Sequence, residues 1–269
     1  MPVLTEAEVF EISRETVVNS VTKFIQNRID VEPNFQILDL IIPTERKIRS
    51  IVGGLETSLG TTLWEPLAKN LASKNGFEVI DENITRPAIM PANLQNTLQI
   101  VIEGRNSKNP VYNSAYCHER IREICQTYKV NPIPKFVAAA KGFGVDIWLR
   151  KDGTDYFFDT KTVQPNVGNY SKYFEQITNW NAFYYSQFPD GNAESRIVFP
   201  YNPYGDTNFW AKTIGGGWPL EPDSEAWVEN QFWDFCSGIE GTYEIIHSAF
   251  ESIAETGDLQ QLFQDIFYN

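Results

Sequence analysis

The stretch GVDIWLRKDGTDYFFDTKT, residues 144–162, constrains the fold more than any other part of the chain. It consists of two runs rich in β-branched and aromatic residues, separated by Lys151, Asp152 and Gly153. An Asp-Gly pair between two such runs is a strong signal for a tight turn. The stretch therefore predicts a β-hairpin.

Helical and strand patterns flank this hairpin in a definite order. Before it, residues 57–80 predict a short helix that starts near Thr62, ends near Gly76 and leads into a strand over residues 77–80. After it, apolar residues between Tyr170 and Tyr184 share one helical face, and residues 196–200 have the pattern of a buried strand. This order predicts an α/β fold with a central mixed sheet and helices on both sides.

The rest of the chain is expected to add helices to one domain over residues 1–269. Apolar residues at helical spacing from Val9 to Ile29 predict an N-terminal helix. Within a core of about residues 55–205, residues 84–140 are interpreted as an insertion with one helix near 115–128. Helices near 224–236, 242–255 and 258–267 form a C-terminal helical part of about residues 220–269. The aromatic stripe after the hairpin is interpreted as core.

Composition excludes several classes of protein. Cys117, Cys125 and Cys236 cannot all pair with one another and show no zinc spacing, so neither a disulfide scaffold nor a structural zinc is expected. His118 and His247 have no neighbouring ligands at metal spacing, which disfavours histidine-metal and Ser-His-Asp chemistry. No run approaches the ~20 apolar residues of a membrane helix, and no leader pattern is visible, so we expect a soluble, cytoplasmic protein.

The charge balance bears on nucleic acid binding. With 22 Lys and Arg against 35 Asp and Glu, the formal net charge is −13. DNA phosphates repel a negative protein overall, but a DNA ligand feels the local field of its cleft. The charge therefore does not exclude DNA as a partner.

The hairpin carries the residues most suited to chemistry. Asp159 and Lys161 are two apart on a strand and so face the same side, and Asp146 on the first arm can face the same cleft. Two carboxylates and a strand carbonyl, here that of Thr160, suit a hard cation such as Mg²⁺. A lysine beside the ion can orient a water or help to deprotonate it. The set fits phosphodiester hydrolysis.

The spacing alone is weak evidence, because an acid two residues before a lysine arises by chance about once or twice in a chain this acidic. Glu45 and Lys47, preceded by Asp39, form such an alternative set, with residues 37–42 as a possible strand. The alternative lacks a preceding helix that bears an acid and lacks a hairpin partner. The order of helices and strands around Asp146, Asp159 and Lys161 therefore favours these residues as the candidate site.

That context resembles the αβββαβ core of the PD-(D/E)xK nucleases, with Val145-Asp146 in place of Pro-Asp. Over roughly residues 46–250 the chain is similar to the TdeIII group of type II restriction endonucleases, in five separate motifs: TSLGTTLWEPLAKNLA, GVDIWL, FDTKTVQPNVGNYSK, FPYNPYG and FWDFCSGIEGTYE. The resemblance implies Mg²⁺-dependent hydrolysis of double-stranded DNA to 5′-phosphate and 3′-hydroxyl ends. Asp146 and Asp159 would bind the metal, and Lys161 would serve the attacking water.

The same resemblance implies a short palindromic site of the GGNCC kind, a homodimer that matches its two-fold symmetry, and a cognate DNA methyltransferase as functional partner. It also places a glutamate on the helix before the first strand near the metal, a position that Glu65 matches better than Glu56. Glu65 has a second interpretation as the helix cap of Thr62. Two rivals stay open: a repair or recombination nuclease with this core, and a non-catalytic DNA-binding protein.

Four polar residues after the second hairpin strand are candidates for DNA contact: Gln164, Asn166, Asn169 and Lys172. Amides read adenine edges or hold phosphates, and a lysine holds phosphate. Turn formation explains the amides equally well, and a solvated helix face explains the lysine. The Gly215 to Gly217 run lacks the Lys-Ser/Thr of a P-loop and is interpreted as a flexible loop.

Overall fold

The computed structural model describes residues 4–27, 35–162 and 167–268. The helices in chain order are α1 (Glu6–Gln26), α2 (Pro43–Leu59), α3 (Glu65–Lys74), α4 (Ala92–Asn106), α5 (Ser114–Cys125), α6 (Val167–Gln187), α7 (Phe209–Lys212), α8 (Asn230–Ser237), α9 (Thr242–Thr256) and α10 (Asp258–Tyr268). The strands are β1 (Glu78–Val79), β2 (Thr85–Pro87), β3 (Phe136–Ala138), β4 (Ile147–Lys151), β5 (Thr154–Thr160), β6 (Asn192–Phe199) and β7 (Ala226–Val228). The chain divides into two compact units, residues 76–232 and residues 1–75 with 233–269. The expectation of one domain over the whole chain stays a prediction.

The sheet of the central unit is mixed, as expected. Its strand order is β1-β4-β5-β6-β7, with β1/β4 and β4/β5 antiparallel and β5/β6 and β6/β7 parallel. Asp152 and Gly153 both have positive φ, 50° and 77°, which is the geometry of the type I′ turn that closes two-residue hairpins. The predicted order of helix, strand, hairpin, helix and strand is confirmed.

Helix α6 connects the parallel strands β5 and β6 and carries the core of this unit. The seven residues of its predicted apolar stripe are all buried: Tyr170, Tyr173, Phe174, Ile177, Trp180, Phe183 and Tyr184. The Phe157 ring of β5 lies 6.4 Å from that of Trp180 and 5.6 Å from that of Tyr184. Helices α4 and α5 pack on α6. The stripe is therefore core, as expected.

Two elements of the central unit differ from the sequence-based expectations. Helix α4 lies in the segment whose pattern predicted no helix before 115, although Leu94, Leu98 and Val101 are buried at helical spacing. Residues 226–228 form strand β7 instead of the start of a helix, because they pair in parallel with β6. Helix α8 begins only at Asn230.

A buried ion network joins α4 to the loop before β7. Arg105 is fully buried and donates to the Pro219 carbonyl over 3.0 Å. It also donates to Glu221 Oε1 over 2.9 Å and to Glu225 Oε1 over 2.7 Å. Burial raises the pKa of Glu225 to about 7, although Arg105 opposes the rise. The network holds together elements that are far apart in sequence.

The other unit is helical. The Trp64 ring lies 5.9 Å from that of Trp233 and 6.0 Å from that of Phe250, and α1 packs along α9. Helix α1 ends at Gln26, so Ile29 of the predicted N-terminal helix lies outside the described residues. Among the described residues, none of the helices has the length and apolar character needed to cross a membrane.

The helix that was expected to start near Thr62 starts at Pro43. A π-helical turn over Gly60–Trp64 joins α2 directly to α3. Thr62 Oγ1 donates to the Ser58 carbonyl over 2.8 Å and therefore caps no helix start. Pro66 has no backbone N–H and therefore interrupts the hydrogen-bond pattern of the helix. A π-helical turn is a common form of local distortion at such an interruption, and here it lies just before the proline. The capping interpretation of Glu65 is wrong.

Candidate active site

The hairpin brings Asp146 and Asp159 side by side. Asp146 precedes β4 by one residue, and its backbone N–H donates to the Phe158 carbonyl over 3.0 Å, which extends the β4/β5 ladder to this point. Its Oδ2 accepts from the backbone N–H of Thr160 over 2.9 Å and from Thr160 Oγ1 over 3.3 Å. The Asp146 carboxylate is thereby oriented across the end of β5.

Lys161 completes the cluster. Its backbone N–H donates to the Val198 carbonyl over 2.9 Å, so β5 continues to pair with β6 here. Its ammonium forms an ion pair with Asp159 and lies 5.2 Å from the centroid of the Tyr173 ring on α6. Strand alternation places Asp159 and Lys161 on the face of β5 that packs on α6. The structure thus brings together the three residues that the sequence singled out.

A comparison within β5 shows how unusual Asp159 is. Asp155, four residues earlier on the same face, is also buried but accepts hydrogen bonds from Trp148 Nε1 over 2.6 Å, Arg150 Nε over 3.0 Å and Tyr184 Oη over 2.8 Å. Asp159 is only 5% exposed, pairs with Lys161 and faces a second carboxylate. The Asp155 carboxylate thus has hydrogen-bond donors around it, whereas the Asp159 carboxyl lies against a group of like charge.

This environment perturbs the Asp159 carboxyl. Burial and the nearby Asp146 charge raise its pKa to about 7, against a smaller opposing effect of Lys161. A divalent cation between the two carboxylates would remove this repulsion. Within the described ranges, no three His, Cys, Asp or Glu side chains converge on one point. Two carboxylates still fit Mg²⁺, which is usually held by one or two carboxylates together with waters and substrate phosphate.

Helix α6 supports the segment that leads into Asp146. Trp180 Nε1 donates to the Phe143 carbonyl over 2.9 Å, and Gln176 Nε2 donates to the Gly144 carbonyl over 3.4 Å. Sequence reasoning treated Trp180 as core alone and did not single out Gln176. The Nε1–H of a buried tryptophan usually has a hydrogen-bond partner, and this rule could have predicted a polar contact for Trp180 but not which residue it supports.

The remaining predicted residues lie on other elements or outside the described part of the chain. Glu65 lies in the helical unit, directly after the π-helical turn, and its role stays a prediction. Gln164 and Asn166 lie outside the described residues. Asn169 is partly buried in the first turn of α6, and Lys172 is exposed on the same helix.

The alternative set at Asp39, Glu45 and Lys47 has no strand to support it. Residues 37–40 form a 3₁₀ turn, and Glu45 and Lys47 lie on α2. Asp39 pairs with Arg46 over 3.0 Å near the surface. The expectation of a strand at residues 37–42 is wrong.

A mixed sheet with two acids and a lysine on one hairpin, followed by a crossover helix and a parallel strand, defines a restriction-endonuclease-like α/β protein. The family model described as "Type II restriction endonuclease, HinfI" matches residues 7–254. The chain therefore belongs to the HinfI family of type II restriction endonucleases. No curated protein and no solved structure matches it. The narrower TdeIII grouping stays a prediction.

Family membership establishes the general activity. The protein is a DNA-hydrolysing endonuclease whose substrate is double-stranded DNA, and enzymes of this class generally need a divalent metal ion. The acidic net charge is thus compatible with a DNA substrate.

Proposed function

We propose that the protein is a Mg²⁺-dependent endonuclease that cuts both strands of duplex DNA at a short palindrome and leaves 5′-phosphate and 3′-hydroxyl ends. The observation that carries this proposal is the cluster of Asp146, Asp159 and Lys161, in which a buried carboxylate lies against a second one and beside a single ion-paired lysine. Asp146, Asp159 and the Thr160 carbonyl would hold the ion.

When bound, Mg²⁺ supplies Lewis-acid stabilisation of the charge that develops on the phosphate oxygens. The two hydrogen bonds from Thr160 orient the Asp146 carboxylate, which supports its proposed role as a metal ligand. The Lys161 ammonium, 24% exposed, donates to the attacking water and balances the charge on phosphorus. The attacking water gives one proton to solvent as its oxygen bonds to phosphorus and the bond to the 3′ oxygen breaks. The 3′ oxygen takes up a proton from solvent, and the phosphate stays on the 5′ side.

The finer parts of the proposal concern specificity and assembly. A palindrome is matched by a homodimer, and a host that makes such an enzyme needs a cognate DNA methyltransferase to protect its own sites. A GGNCC-like site follows if the TdeIII resemblance extends to specificity. Glu65 would assist the metal site, and Gln164, Asn166, Asn169 and Lys172 would contact DNA beside it.

Plasmid digestion tests the proposal. The wild-type protein should give discrete fragments with Mg²⁺ and none with EDTA, while Asp146→Ala and Lys161→Ala should lose at least about 100-fold in rate. Lys151→Ala, at the turn end of the same hairpin, is the matched control and should cut normally. Sequencing of the ends gives the site, and direct religation reports the 5′-phosphate.

Undiminished cutting by both site variants would refute the assigned residues. Fragments without defined ends would favour a repair or recombination nuclease instead. Binding without cleavage at any Mg²⁺ concentration would favour a non-catalytic DNA-binding protein.

A further inference from the structure

The motif FPYNPYG, residues 199–205, has no part in the chemistry proposed above, yet it begins at the edge of the sheet where that chemistry lies. Strands β5 and β6 are parallel, and Thr160 is paired with Val198, so both strands end at the same edge. Tyr201 Oη donates to the Thr162 carbonyl over 2.9 Å. The chain that follows β6 is therefore tied to the residue after Lys161.

Aromatic contacts place the far end of this segment beside the candidate site as well. The Trp210 ring lies 6.5 Å from that of Tyr170, and the Tyr170 ring lies 6.3 Å from that of Tyr173. Tyr173 is the residue whose ring faces the Lys161 ammonium. Both ends of the segment from Tyr201 to Trp210 thus lie within a few side chains of Lys161.

Asn202 makes the loop between these ends rigid. Its Nδ2 donates to the Gly205 carbonyl over 3.0 Å and to the Thr207 carbonyl over 2.8 Å. Its Oδ1 accepts from the Tyr204 backbone N–H over 3.1 Å, an Asx turn. Phe209 closes the loop as a buried anchor, 4.8 Å from the Phe199 ring. The backbone of this loop therefore loses little conformational entropy when it binds a ligand.

The tip presents polar groups that the fold does not use. Asp206 and Thr207 are exposed, and within residues 4–27, 35–162 and 167–268 no hydrogen bond or ion pair of their side chains is found. Asn208, by contrast, accepts from the Ala211 backbone N–H over 3.1 Å and caps the next helix. The loop therefore holds the backbone around Asp206 and Thr207, while their carboxylate and hydroxyl face solvent.

A carboxylate at the edge of the sheet that faces DNA can contact only some groups of the DNA. Phosphates repel it, whereas the amino groups of bases in the major groove donate hydrogen bonds, and acidic side chains typically accept from the 4-amino group of cytosine. We propose that Asp206 reads the 4-amino group of a cytosine in the recognition site, in the major groove next to the scissile strand. This inference rests on the proposed site-specific endonuclease activity.

The test combines a protein change with a base change. Once the site is mapped, each cytosine in a short duplex is replaced in turn by 2-pyrimidinone, which lacks the 4-amino group, and kcat/KM is measured with Mg²⁺ for the wild type and Asp206→Ala. Asp190→Ala is the charge control, since it removes one exposed carboxylate, paired at the surface with Lys129, in the loop that precedes β6, at the opposite edge of the sheet. Equal thermal unfolding midpoints for the three proteins verify that they are folded.

At one cytosine the wild type and Asp190→Ala should lose about 10-fold in kcat/KM when the amino group is removed. Asp206→Ala should already be about 10-fold slower on the natural duplex and should lose nothing more at that position. Equal responses of all three proteins at every cytosine, or a mapped site without cytosine, would overturn the inference alone. A wild type that cuts no duplex with Mg²⁺ would instead overturn the proposed function, and the reading of cytosine with it.

Discussion

Replacing either buried aspartate of β5 with asparagine should change stability in opposite directions. In the metal-free protein the Asp159 carboxyl is buried against the Asp146 carboxylate and is costly to ionise, so Asp159→Asn should stabilise the fold at and above neutral pH while it abolishes Mg²⁺-dependent cleavage. Asp155→Asn should destabilise it, because Asp155 accepts charge-assisted bonds from Arg150 and further bonds from Trp148 and Tyr184.

The magnitude follows from the raised pKa of Asp159. At about 1.4 kcal/mol for each pH unit between 3.8 and 7, the cost of ionising this carboxyl has an upper bound of about 4 kcal/mol. Loss of the Lys161 ion pair and relaxation around the site reduce the expected gain to about 2 kcal/mol. For a chain of this size that corresponds to a rise in Tm of about 4–8 °C. The loss for Asp155→Asn is expected at about 2–3 kcal/mol.

The pH dependence has a definite sign. Because the folded pKa lies above the unfolded one, the folded state of the wild type binds the extra proton, and its stability falls as the pH rises from about 4 to about 7. The gain in Tm of Asp159→Asn over the wild type should therefore grow across this window and stay constant above it.

Thermal unfolding in EDTA between pH 5 and 8 measures these effects, with cleavage assays on the same samples. Added Mg²⁺ should raise the Tm of the wild type and shrink its difference from Asp159→Asn. An Asp159→Asn protein that is less stable than the wild type at pH 8 in EDTA would show that the two carboxylates do not repel each other as argued.

Three further predictions concern residues outside the cluster. Arg105→Met should destabilise the protein by about 3–5 kcal/mol in urea unfolding, because it leaves the buried Glu225 carboxylate without its cation; a loss below about 1 kcal/mol would contradict this. Lys172→Ala should weaken DNA binding in Ca²⁺ and lower the slope of log K against log salt by about 1, whereas the exposed Lys135→Ala should not, and equal slopes would remove Lys172 from the interface. Glu65→Gln should lower kcat at least about 10-fold, against an unaffected Glu56→Gln control; equal rates would leave Glu65 without a catalytic role.

Local patterns were sufficient for the part of the fold that holds the candidate site. The Asp152-Gly153 turn and the alternation of side chains set the register of the hairpin, and the register alone places Asp146 beside the end of β5. The apolar stripe of α6 was equally readable, because a helical period shows in any window of that length. These are properties of short stretches of chain.

Other parts depended on residues far apart in sequence. Arg105 is buried because its partners, Pro219 and Glu225, lie 114 and 120 residues away, and no local pattern distinguishes it from a surface arginine. The support of Phe143 by Trp180 spans 37 residues in the same way. The strand identity of β7 likewise came from its pairing with β6 and not from its own three residues.

The sequence by itself determined the hairpin, the crossover helix and the facing of Asp146, Asp159 and Lys161, because turn chemistry and the two-residue period of a strand act within about twenty residues. Only the tertiary structure decided that Asp159 is buried against a second carboxylate while Asp155 is satisfied, and that the loop held by Asn202 lies at the same edge of the sheet. The burial of a residue and the sign of the charges beside it depend on which parts of the chain pack around it. That packing is set by contacts between segments that are distant in sequence.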